Sequence, residues 1–238
     1  MNHRILEGRV AIITGAGRGI GAATARRFAE EGAAVACVSR SAAQLEQVAA
    51  SIRAAGGRTL AVVCDVTRAD DVTAMVARVS SELGPVCLLV NNAGHCAPAP
   101  MVSMSPADFH ATVDGNLTST FLCCRAVLPR MLESGGGDIV NVASISGVRG
   151  TQKFPGFTAY AASKAGVIVL TEALAAELDG RGVRVNAVSP GSVETELLRR
   201  VAPSATAAMS PEEVAESVLF IASSRGRPAN GSNLEIFG

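Results

Sequence analysis

The sequence lacks a net charge and has no long apolar run. Its 238 residues carry 21 Lys or Arg and 21 Asp or Glu, a balance that gives no reason to expect a nucleic acid or an anionic membrane surface as a partner. The longest apolar runs, "VCLLV" at 86–90 and "VIVL" at 167–170, are much shorter than the roughly 20 residues of a membrane-spanning helix. The N-terminus has no uninterrupted apolar stretch, so no signal peptide is expected.

Paired cysteine motifs and aromatic residues are also scarce. None of the six cysteines forms a C-x-x-C pair, and several lie inside apolar runs, where cysteine usually acts as a small core residue. We therefore expect buried or inert thiols, no metal site and a reducing, cytoplasmic location. The chain has no tryptophan and a single tyrosine, Tyr160. The cysteines are Cys37, Cys64, Cys87, Cys96, Cys123 and Cys124.

What the sequence does contain is an alternation of short apolar runs and longer segments with helical spacing. Its composition, 48% apolar and 18% charged, is that of a globular protein, and its length suits one domain over 1–238. The apolar runs are continuous, which indicates strands covered on both faces. We predict an α/β fold with a doubly wound, seven-stranded parallel sheet and helices on both faces, whose ligands bind at the carboxyl ends of the strands.

The predicted elements follow from these two patterns, and several of the helical segments end at glycine, as helices commonly do. The predicted strands span 9–14, 34–39, 60–66, 86–91, 138–143, 183–189 and 233–237. The predicted helices span 21–32, 42–57, 69–84, 106–133, 158–180 and 210–224.

The stretch "TGAGRGIG", at 14–21, lies between the first predicted strand and the first predicted helix. Glycine allows a tight turn and a close approach of the backbone to a ligand, and a helix N-terminus faces an anion favourably. The stretch fits T-G-x-x-x-G-x-G in full, whereas no Gly-Lys-Ser/Thr follows to make a P-loop. The pattern G-x-G-x-x-G fails from Gly15, since Ile20 stands last, and fits only in its Ala-ended form from Gly17. We predict that Gly15, Gly17, Gly19, Ile20 and Gly21 bind the pyrophosphate of a dinucleotide.

Two arginines indicate which dinucleotide binds. In such folds the end of the second strand meets the adenosine ribose, where an acid binds the 2′-hydroxyl and an arginine accommodates a 2′-phosphate. This sequence has Ser39 at that point, followed by Arg40, and Arg18 in the glycine loop could reach the same phosphate. We therefore predict NADP(H) as cofactor in preference to NAD(H). The alternative is that both arginines are solvated surface charges.

The second half of the sequence contains a candidate acid–base group. Tyr160 and Lys164, in "YAASK", are four residues apart and so adjacent on one face of a helix. A neighbouring ammonium favours the phenolate, and it should lower the phenol pKa from its usual value of about 10 and make Tyr160 a usable proton donor or acceptor. Ser144 follows a predicted strand in "NVASISG", where its hydroxyl could hold a substrate oxygen.

These motifs, in this order, resemble those of the classical short-chain dehydrogenase/reductase family, in its NADP-preferring form. The resemblance covers nearly the whole chain and implies a Rossmann-type fold, in which 1–135 mainly binds the dinucleotide and 136–238 provides the catalytic and substrate-binding half. It rests on "TGAGRGIG" (14–21), "CDVT" (64–67), "NNAG" (91–94), "NLTSTF" (116–121), "NVASISG" (141–147), "YAASK" (160–164) and "VNAVSPGSVET" (185–195).

The resemblance implies a role for individual residues. Tyr160 would exchange a proton with the carbonyl or alcohol oxygen, Ser144 would hydrogen-bond that oxygen, and Lys164 would bind the nicotinamide ribose. Asn116 would kink its helix and hold a water that continues the proton relay. The other implied cofactor contacts are Asp65 and Val66 at the adenine, Asn92, Ala93 and Gly94 at the ribose and the centre of the cofactor, and Pro190, Gly191, Val193 and Thr195 at the nicotinamide.

We therefore predict an NADP(H)-dependent oxidoreductase that interconverts a carbonyl and a secondary or primary alcohol. A 3-oxoacyl thioester reductase, acting on an acyl carrier or CoA substrate, competes with a reductase of small ketones, aldehydes, steroids or polyols. A non-catalytic NADP-binding sensor or scaffold is disfavoured by the intact Ser144, Tyr160 and Lys164. An epimerase or dehydratase is disfavoured because such enzymes usually need a longer C-terminal substrate domain.

The sequence departs from the family pattern around the substrate. The span between Ser144 and Tyr160 is long and contains "GVRGTQKFPGF" (147–157), and the segment between Thr195 and Ser210 is short for a substrate lid. His95 and Cys96 are candidate cleft residues. Four basic residues form either a rim for an acyl carrier or CoA, or a solvated face; they are Arg149, Lys153, Arg199 and Arg200.

The resemblance also implies a quaternary structure. The family commonly forms dimers or tetramers through helices that correspond to 106–133 and 158–180. The second of these segments is apolar around much of its girth, which requires a covering surface. We expect a homo-oligomer, either a tetramer or a dimer, with a small carbonyl or alcohol compound as the other partner.

Overall fold

The structure, a computed structural model, describes residues 4–238, which form one seven-stranded sheet. The strands, numbered along the chain, are β1 (Val10–Thr14), β2 (Ala34–Ser39), β3 (Thr59–Val63), β4 (Leu88–Asn91), β5 (Gly137–Val142), β6 (Val183–Pro190) and β7 (Asn233–Ile236). They lie in the order β3-β2-β1-β4-β5-β6-β7, and every neighbouring pair is parallel. The predicted sheet is confirmed, and the strand order reverses between β1 and β4, where such folds open a crevice.

Eight α-helices, counted over residues 4–238, connect the strands. They are α1 (Gly19–Glu30), α2 (Ala42–Ala54), α3 (Ala69–Glu82), α4 (Pro106–Val113), α5 (Ser119–Glu133), α6 (Thr158–Glu177), α7 (Glu196–Val201) and α8 (Pro211–Ala222). The first helix begins inside the glycine-rich stretch, earlier than predicted. The segment that looked short for a lid forms the single short helix α7.

Helices cover both faces of the sheet, as predicted. All five residues of β1 are buried, and alternate side chains point to opposite faces. Ile13 belongs to a core cluster with Phe28 of α1, and Ile12 to a second cluster with Val79 of α3 and Val127 of α5. Each large apolar side chain buried in this way contributes about 1.5–3 kcal/mol to stability. Burial on both sides explains why β1 is continuously apolar.

The segment predicted as one helix, 106–133, is helical throughout, but it is not regular α-helix. A turn of π-helix, Asp114–Thr118, separates α4 from α5. Gly115 lies so close to the loop after β4 that a Cβ would approach a side-chain carbon of that loop to 2.7 Å. The Thr120 hydroxyl donates to the carbonyl of Asn116 at 2.7 Å, and such bonds compete with regular helical pairing. The kink that the family resemblance implies at Asn116 takes this form.

The third predicted strand, 60–66, ends early at Val63 because a local turn replaces it. The carboxylate of Asp65 accepts hydrogen bonds from the backbone N–H of Thr67 at 3.0 Å and from its hydroxyl at 2.7 Å. A short acidic side chain that bonds to nearby backbone in this way favours a turn over a strand.

A charged network fastens the amino ends of the strands, away from the carboxyl edge. Asp138, in β5, pairs with Arg9 at 2.7 Å and with Arg184 of β6 at 2.6 Å. Both guanidiniums also donate to carbonyls at the end of α8, Arg9 to Ala222 at 3.1 Å and Arg184 to Ile221 at 3.1 Å. The network therefore joins three strands and a helix at this end of the sheet.

Candidate active site

The carboxyl ends of the central strands bring most of the predicted site residues to one edge of the sheet. β1 ends at Thr14, β4 at Asn91, β5 at Val142 and β6 at Pro190. The segments that follow these four residues contain the glycine loop, the "NNAG" loop, Ser144 and the "PGSVET" stretch. Four distant parts of the sequence thus line one crevice.

The glycine loop is shaped by close packing against the "NNAG" loop. Gly15 and Gly19 have φ angles of 65° and 54°, a region that L side chains rarely adopt. A Cβ at Gly21 would lie 2.5 Å from the side-chain nitrogen of Asn92, and one at Gly15 would lie 2.8 Å from the same atom. A larger residue at either position would displace the loop.

Hydrogen bonds from Thr14 and Asn92 hold this packing in place. The hydroxyl oxygen of Thr14 accepts from the N–H groups of Asn92 and Ala93, both at 3.0 Å. The Asn92 side chain donates to the carbonyls of Thr14 at 3.0 Å and Gly15 at 3.3 Å. Asn92 therefore stabilises the conformation of the glycine loop. Its predicted contact with the cofactor stays a prediction. Thr14 was not predicted as a site residue, although it opens the glycine motif.

The N-terminus of α1 fits an anion. Its N-cap residue, Arg18, makes no side-chain capping bond, as is also the case in α3, α5 and α6, whereas Ser or Thr side chains cap the other four helices. The first N–H groups of an α-helix have no partner within the helix, so those near Gly19 and Ile20 can donate to a phosphate. The loop and the uncapped helix together suit a dinucleotide pyrophosphate.

Arg40 lies close to Asp65, in the turn after β3. Burial would raise the pKa of Asp65, but hydrogen bonds from Thr67 and the nearby charge of Arg40 lower it. Arg40 is therefore close to the residue that the family resemblance assigns to the adenine. Val66 follows Asp65 in the same turn after β3.

Arg18, in contrast, is turned toward α7. Its guanidinium pairs with the carboxylate of Glu196, the first residue of α7. The glycine loop still adjoins the end of β2, because a Cβ at Gly17 would lie 3.1 Å from the hydroxyl oxygen of Ser39. Whether Arg18 reaches the same 2′-phosphate as Arg40 stays a prediction. Nothing in the local sequence pointed to Glu196 as a partner.

The predicted nicotinamide contacts face the glycine loop from the other side. Gly191 donates its N–H to the carbonyl of Ile236 at 2.9 Å, which extends the pairing of β6 with β7 beyond Pro190. Thr195 caps α7 and lies against the glycine loop, since its methyl group would be 3.2 Å from a Cβ at Gly19. Val193, which lies between Gly191 and Thr195 in the sequence, is buried.

Asn116 ties the "NNAG" loop to the helix that carries Tyr160. Its fully buried side chain accepts from the His95 N–H at 2.9 Å and donates to the His95 carbonyl at 2.8 Å. It also donates to the hydroxyl of Ser163 in α6 at 2.9 Å, and Ser163 in turn donates to the carbonyl of Tyr160 at 2.8 Å. A Cβ at Gly94 would lie 3.0 Å from the Asn116 side-chain oxygen. The implied role in holding a water stays a prediction.

Ser144, Tyr160 and Lys164 converge in the crevice. The Lys164 ammonium is buried, lies 5.9 Å from the centre of the Tyr160 ring and donates to the carbonyl of Val142 at 2.7 Å. Ser144 is also buried; its hydroxyl oxygen accepts from the Ser146 N–H at 3.2 Å, and Ser144 lies near enough to the phenol to lower the pKa of Tyr160. A proton donor, a hydroxyl and a cation therefore meet at the end of β5.

The expected effect of Lys164 on Tyr160 is wrong for the protein without cofactor. The pKa of Tyr160 is raised to about 12. Burial is the main cause and the neighbouring Cys96 adds to it, whereas Ser144 acts in the opposite direction. Burial lowers the pKa of Lys164 to about 8. Desolvation disfavours the charged form of each group. Tyr160 is therefore a neutral phenol, able to donate a proton, near pH 7.

Two of the four candidate rim residues are engaged by other groups of the chain. Arg199 pairs with Glu194 at 2.5 Å, and Lys153 folds back to donate to the hydroxyl of Thr151 at 2.8 Å. Arg149 and Arg200 are exposed. The sequence pattern could not separate the engaged from the free side chains.

One helix among residues 4–238, α6, is long and apolar enough by composition to cross a membrane. It carries Tyr160 and Lys164, and 39% of its apolar window is buried. It is therefore a core helix of the fold.

Comparison with protein-family models identifies a short chain dehydrogenase match over residues 9–206. D-threitol dehydrogenase of Mycolicibacterium smegmatis is 41% identical, with 98% of this chain and 93% of that protein covered. The 3-oxoacyl-(acyl-carrier-protein) reductase of Thermotoga maritima is 40% identical, with 98% of each covered. Cis-4-hydroxycyclohexanecarboxylate dehydrogenase of Sinomonas cyclohexanicum is also 40% identical, with 97% of this chain and 95% of that protein covered.

Solved structures give the same picture. A short-chain type dehydrogenase/reductase from Mycobacterium marinum superposes with a TM-score of 0.92 at 36% identity, covering 100% of this chain and 97% of that one. A 7α-hydroxysteroid dehydrogenase, solved with NADH and 7-oxo glycochenodeoxycholic acid, superposes with a TM-score of 0.91 at 33% identity. That match covers 98% of this chain and 94% of the other.

Proposed function

The chain belongs to the short-chain dehydrogenase/reductase family, and from that premise we propose that it interconverts a carbonyl and a secondary or primary alcohol with NADP(H) as cofactor. It is an oxidoreductase that acts on CH–OH groups. The observation that carries the proposal is the convergence of Ser144, Tyr160 and Lys164 beside an uncapped helix N-terminus with a glycine loop.

The chain's own residues supply the proton and the orientation, while the nicotinamide, when bound, supplies or accepts the hydride. In the reductive direction Ser144 and Tyr160 hydrogen-bond the carbonyl oxygen, and the Tyr160 phenol donates its proton as negative charge develops there. Lys164, held by the Val142 carbonyl, is placed to bind a ribose hydroxyl and to stabilise the phenolate that forms. In the oxidative direction the same phenolate would accept the alcohol proton.

Two observations support NADP(H) over NAD(H). The end of β2 carries Ser39 and Arg40 rather than an acid, and Arg40 lies near Asp65 at the adenosine side. A guanidinium there provides a planar pair of donors for a 2′-phosphate, whereas an aspartate would repel it. A relative of this fold was solved with NADH, so family membership alone does not decide the preference.

The 3-oxoacyl thioester reductase is retained as a second candidate because the Thermotoga relative with that name covers 98% of the chain at 40% identity. We further propose a cytoplasmic homo-oligomer, a dimer or a tetramer. Phe121 of α5 and Val169 of α6 support it, since 47% and 60% of these apolar residues is exposed.

The test is to titrate NADPH and NADH separately into the purified protein by nicotinamide fluorescence, and then to assay each against ketones, aldehydes and an acetoacetyl thioester. Tighter NADPH binding with turnover of a carbonyl is expected. Tighter NADH binding would refute the cofactor preference, and NADPH binding without turnover of any carbonyl would favour a sensor. Light scattering at micromolar concentration checks the oligomer, and a monomeric mass would refute it.

A further inference from the structure

The chain makes a tight turn just before α6, at Phe154, Pro155, Gly156 and Phe157. The N–H of Phe157 donates to the carbonyl of Phe154 at 3.2 Å, and Gly156 has a φ angle of 83°. Proline at the second position and glycine with a positive φ at the third are the features of a type II turn. The turn, named here the Pro155–Gly156 turn, brings the two phenylalanines side by side.

Hydrogen bonds join this turn to a neighbouring loop and to a helix. The N–H of Ala99, in the loop between β4 and α4, donates to the carbonyl of Gly156 at 3.0 Å. The carbonyl of Phe157 accepts from the N–H of Ala161 at 2.8 Å, at the start of α6. The turn is therefore held at both sides, and its last residue is bonded into the helix that carries Tyr160.

Three aromatic rings form a row at this turn. The ring centroids of Phe154 and Phe157 are 6.4 Å apart, and those of Phe157 and Tyr160 are 6.3 Å apart. The interplanar angles are 66° and 84°, so both contacts are edge-to-face, an arrangement in which aromatic rings attract each other beyond the effect of burial. Half of Phe154 is exposed, which makes it the outer ring, while Phe157 is the ring in contact with the phenol.

The backbone of Tyr160 is fixed, but the backbone alone does not fix its ring. The hydroxyl of Ser163 donates to the Tyr160 carbonyl at 2.8 Å, within the first turns of α6. The torsion that rotates a tyrosine ring has a broad energy minimum, so the groups around the ring decide its orientation. The Lys164 ammonium lies 5.9 Å from the ring centre, and Phe157 supplies an apolar contact. Without the Phe157 ring, the phenol would lose that restraint.

We propose that Phe157 is a positioning residue for the Tyr160 phenol, held in place by the Pro155–Gly156 turn and the hydrogen bond from Ala99. The proposal rests on the proposed role of Tyr160 as proton donor, and it adds a residue that acts on the reaction through Tyr160. A misplacement of about 1 Å at a reacting group can cost about a hundredfold in rate. A side chain that restricts the phenol therefore affects turnover although it supplies no chemical group.

The kinetic test uses the carbonyl compound that the wild type reduces fastest with NADPH. Phe157→Leu should lower kcat about tenfold, with KM and NADPH affinity within about twofold, because leucine fills space but makes no edge-to-face contact. Phe157→Tyr keeps the ring and should keep kcat within about twofold. The matched control is Phe154→Leu, whose ring packs on Phe157 and not on Tyr160, and which should also keep kcat within about twofold.

Two kinetic outcomes would overturn the proposal. An unchanged kcat in Phe157→Leu would mean that the ring contact does not position the phenol. An equal loss of kcat in Phe154→Leu would mean that the turn as a whole matters and the direct contact with Tyr160 does not.

A substitution in the turn tests what holds Phe157. Gly156→Ala keeps all three rings but places a Cβ at a φ angle that L residues rarely adopt, so the turn must shift. We expect kcat to fall about threefold. Full activity in Gly156→Ala would show that the turn does not hold Phe157 and would refute that part of the proposal.

A spectroscopic measurement tests the restraint without turnover. The chain has no tryptophan and one tyrosine, so its tyrosine emission reports on Tyr160 alone. Phe157→Leu should lower the anisotropy of that emission, because the phenol gains rotational freedom, whereas Phe154→Leu should match the wild type. Equal anisotropy in Phe157→Leu and the wild type would contradict the proposal. If the anisotropy falls as expected but the wild type reduces no carbonyl, the proposed function fails while the restraint on Tyr160 stands.

Discussion

Arg18 in the glycine loop pairs with Glu196, the first residue of α7. The two side chains are 48% and 62% exposed, and an ion pair this exposed is worth only about 0.2–1 kcal/mol. A 2′-phosphate near Arg18 would therefore compete with the Glu196 carboxylate for the Arg18 guanidinium, because breaking this ion pair costs little. A phosphate that displaced Glu196 would remove this contact between the glycine loop and α7.

Glu196→Gln should tighten NADPH binding by up to about fivefold, because Arg18 becomes free to turn toward the phosphate. NADH affinity should not change, since NADH has no 2′-phosphate. Fluorescence titration of both nucleotides measures the effect, with Glu194→Gln as a control in the same segment. An equal gain for NADPH and NADH would show that Arg18 does not recognise the phosphate.

Arg40→Asp should weaken NADPH binding by about tenfold or more and shift the preference toward NADH. The substitution removes a charge-assisted donor and places a carboxylate where it can accept from the ribose 2′-hydroxyl. The same titrations apply, with Arg125→Asp, an exposed change on α5, as the control. Unchanged NADPH affinity would make Arg40 a solvated surface charge.

Tyr160→Phe should lower kcat by at least about a hundredfold while NADPH affinity stays within about twofold. The change removes the proton donor and preserves the ring that packs on Phe157. Steady-state kinetics and nucleotide titration on the same preparation check both parts. Loss of nucleotide binding together with activity would mean that Tyr160 is structural.

The buried Lys164 should make the stability of the cofactor-free protein depend on pH. Its pKa is about 8 in the fold and 10.5 in the unfolded chain, so between these values the unfolded state binds more protons and stability rises with pH. Above about pH 10 Tyr160, with its raised pKa, acts in the opposite direction. Relative to Lys164→Met, the wild type should gain on the order of 2 kcal/mol from pH 7.5 to pH 10.

Urea unfolding at several pH values measures that gain. Lys153→Met, an exposed lysine in the loop before α6, is the control and should show no such trend. A difference between wild type and Lys164→Met that is independent of pH would mean that Lys164 is not desolvated in the free protein.

Asp138→Asn should destabilise the fold by about 3 kcal/mol, because it leaves two partly buried guanidiniums without their shared carboxylate. The exposed pair of Glu82 with Arg78 is the control, and Glu82→Gln should cost less than about 1 kcal/mol. Urea unfolding compares the two. Below the unfolding transition NADPH affinity should be unchanged, since Asp138 lies at the amino end of β5.

The sequence was sufficient to predict the sheet, since strands buried on both faces must be continuously apolar and parallel strands need connecting helices. It also placed Tyr160, Lys164 and Ser144 together, because helical spacing and strand ends are local properties. It did not predict the π-turn at Asn116, which depends on the tight fit of Gly115 against the loop after β4. For the same reason it missed the Arg18–Glu196 pair, whose members are far apart in the chain.

The direction of the Tyr160 pKa shift could not be read from the spacing either. The spacing of four residues predicts that Lys164 lies near Tyr160 on the helix. It does not predict how deeply the two side chains are buried, because burial depends on all the residues that pack around them. In the fold burial dominates, and it moves both groups toward their neutral forms.

The network of Arg9, Asp138 and Arg184 anchors the amino ends of the central strands, whereas the candidate site residues follow the carboxyl ends. Substitutions at the carboxyl ends change what is bound and leave the anchoring at the amino ends intact. In this chain the residues that would contact a ligand and the residues that anchor the sheet are therefore different sets. Conversely, loss of Asp138 would remove a contact on which the sheet depends whatever residues line the cleft.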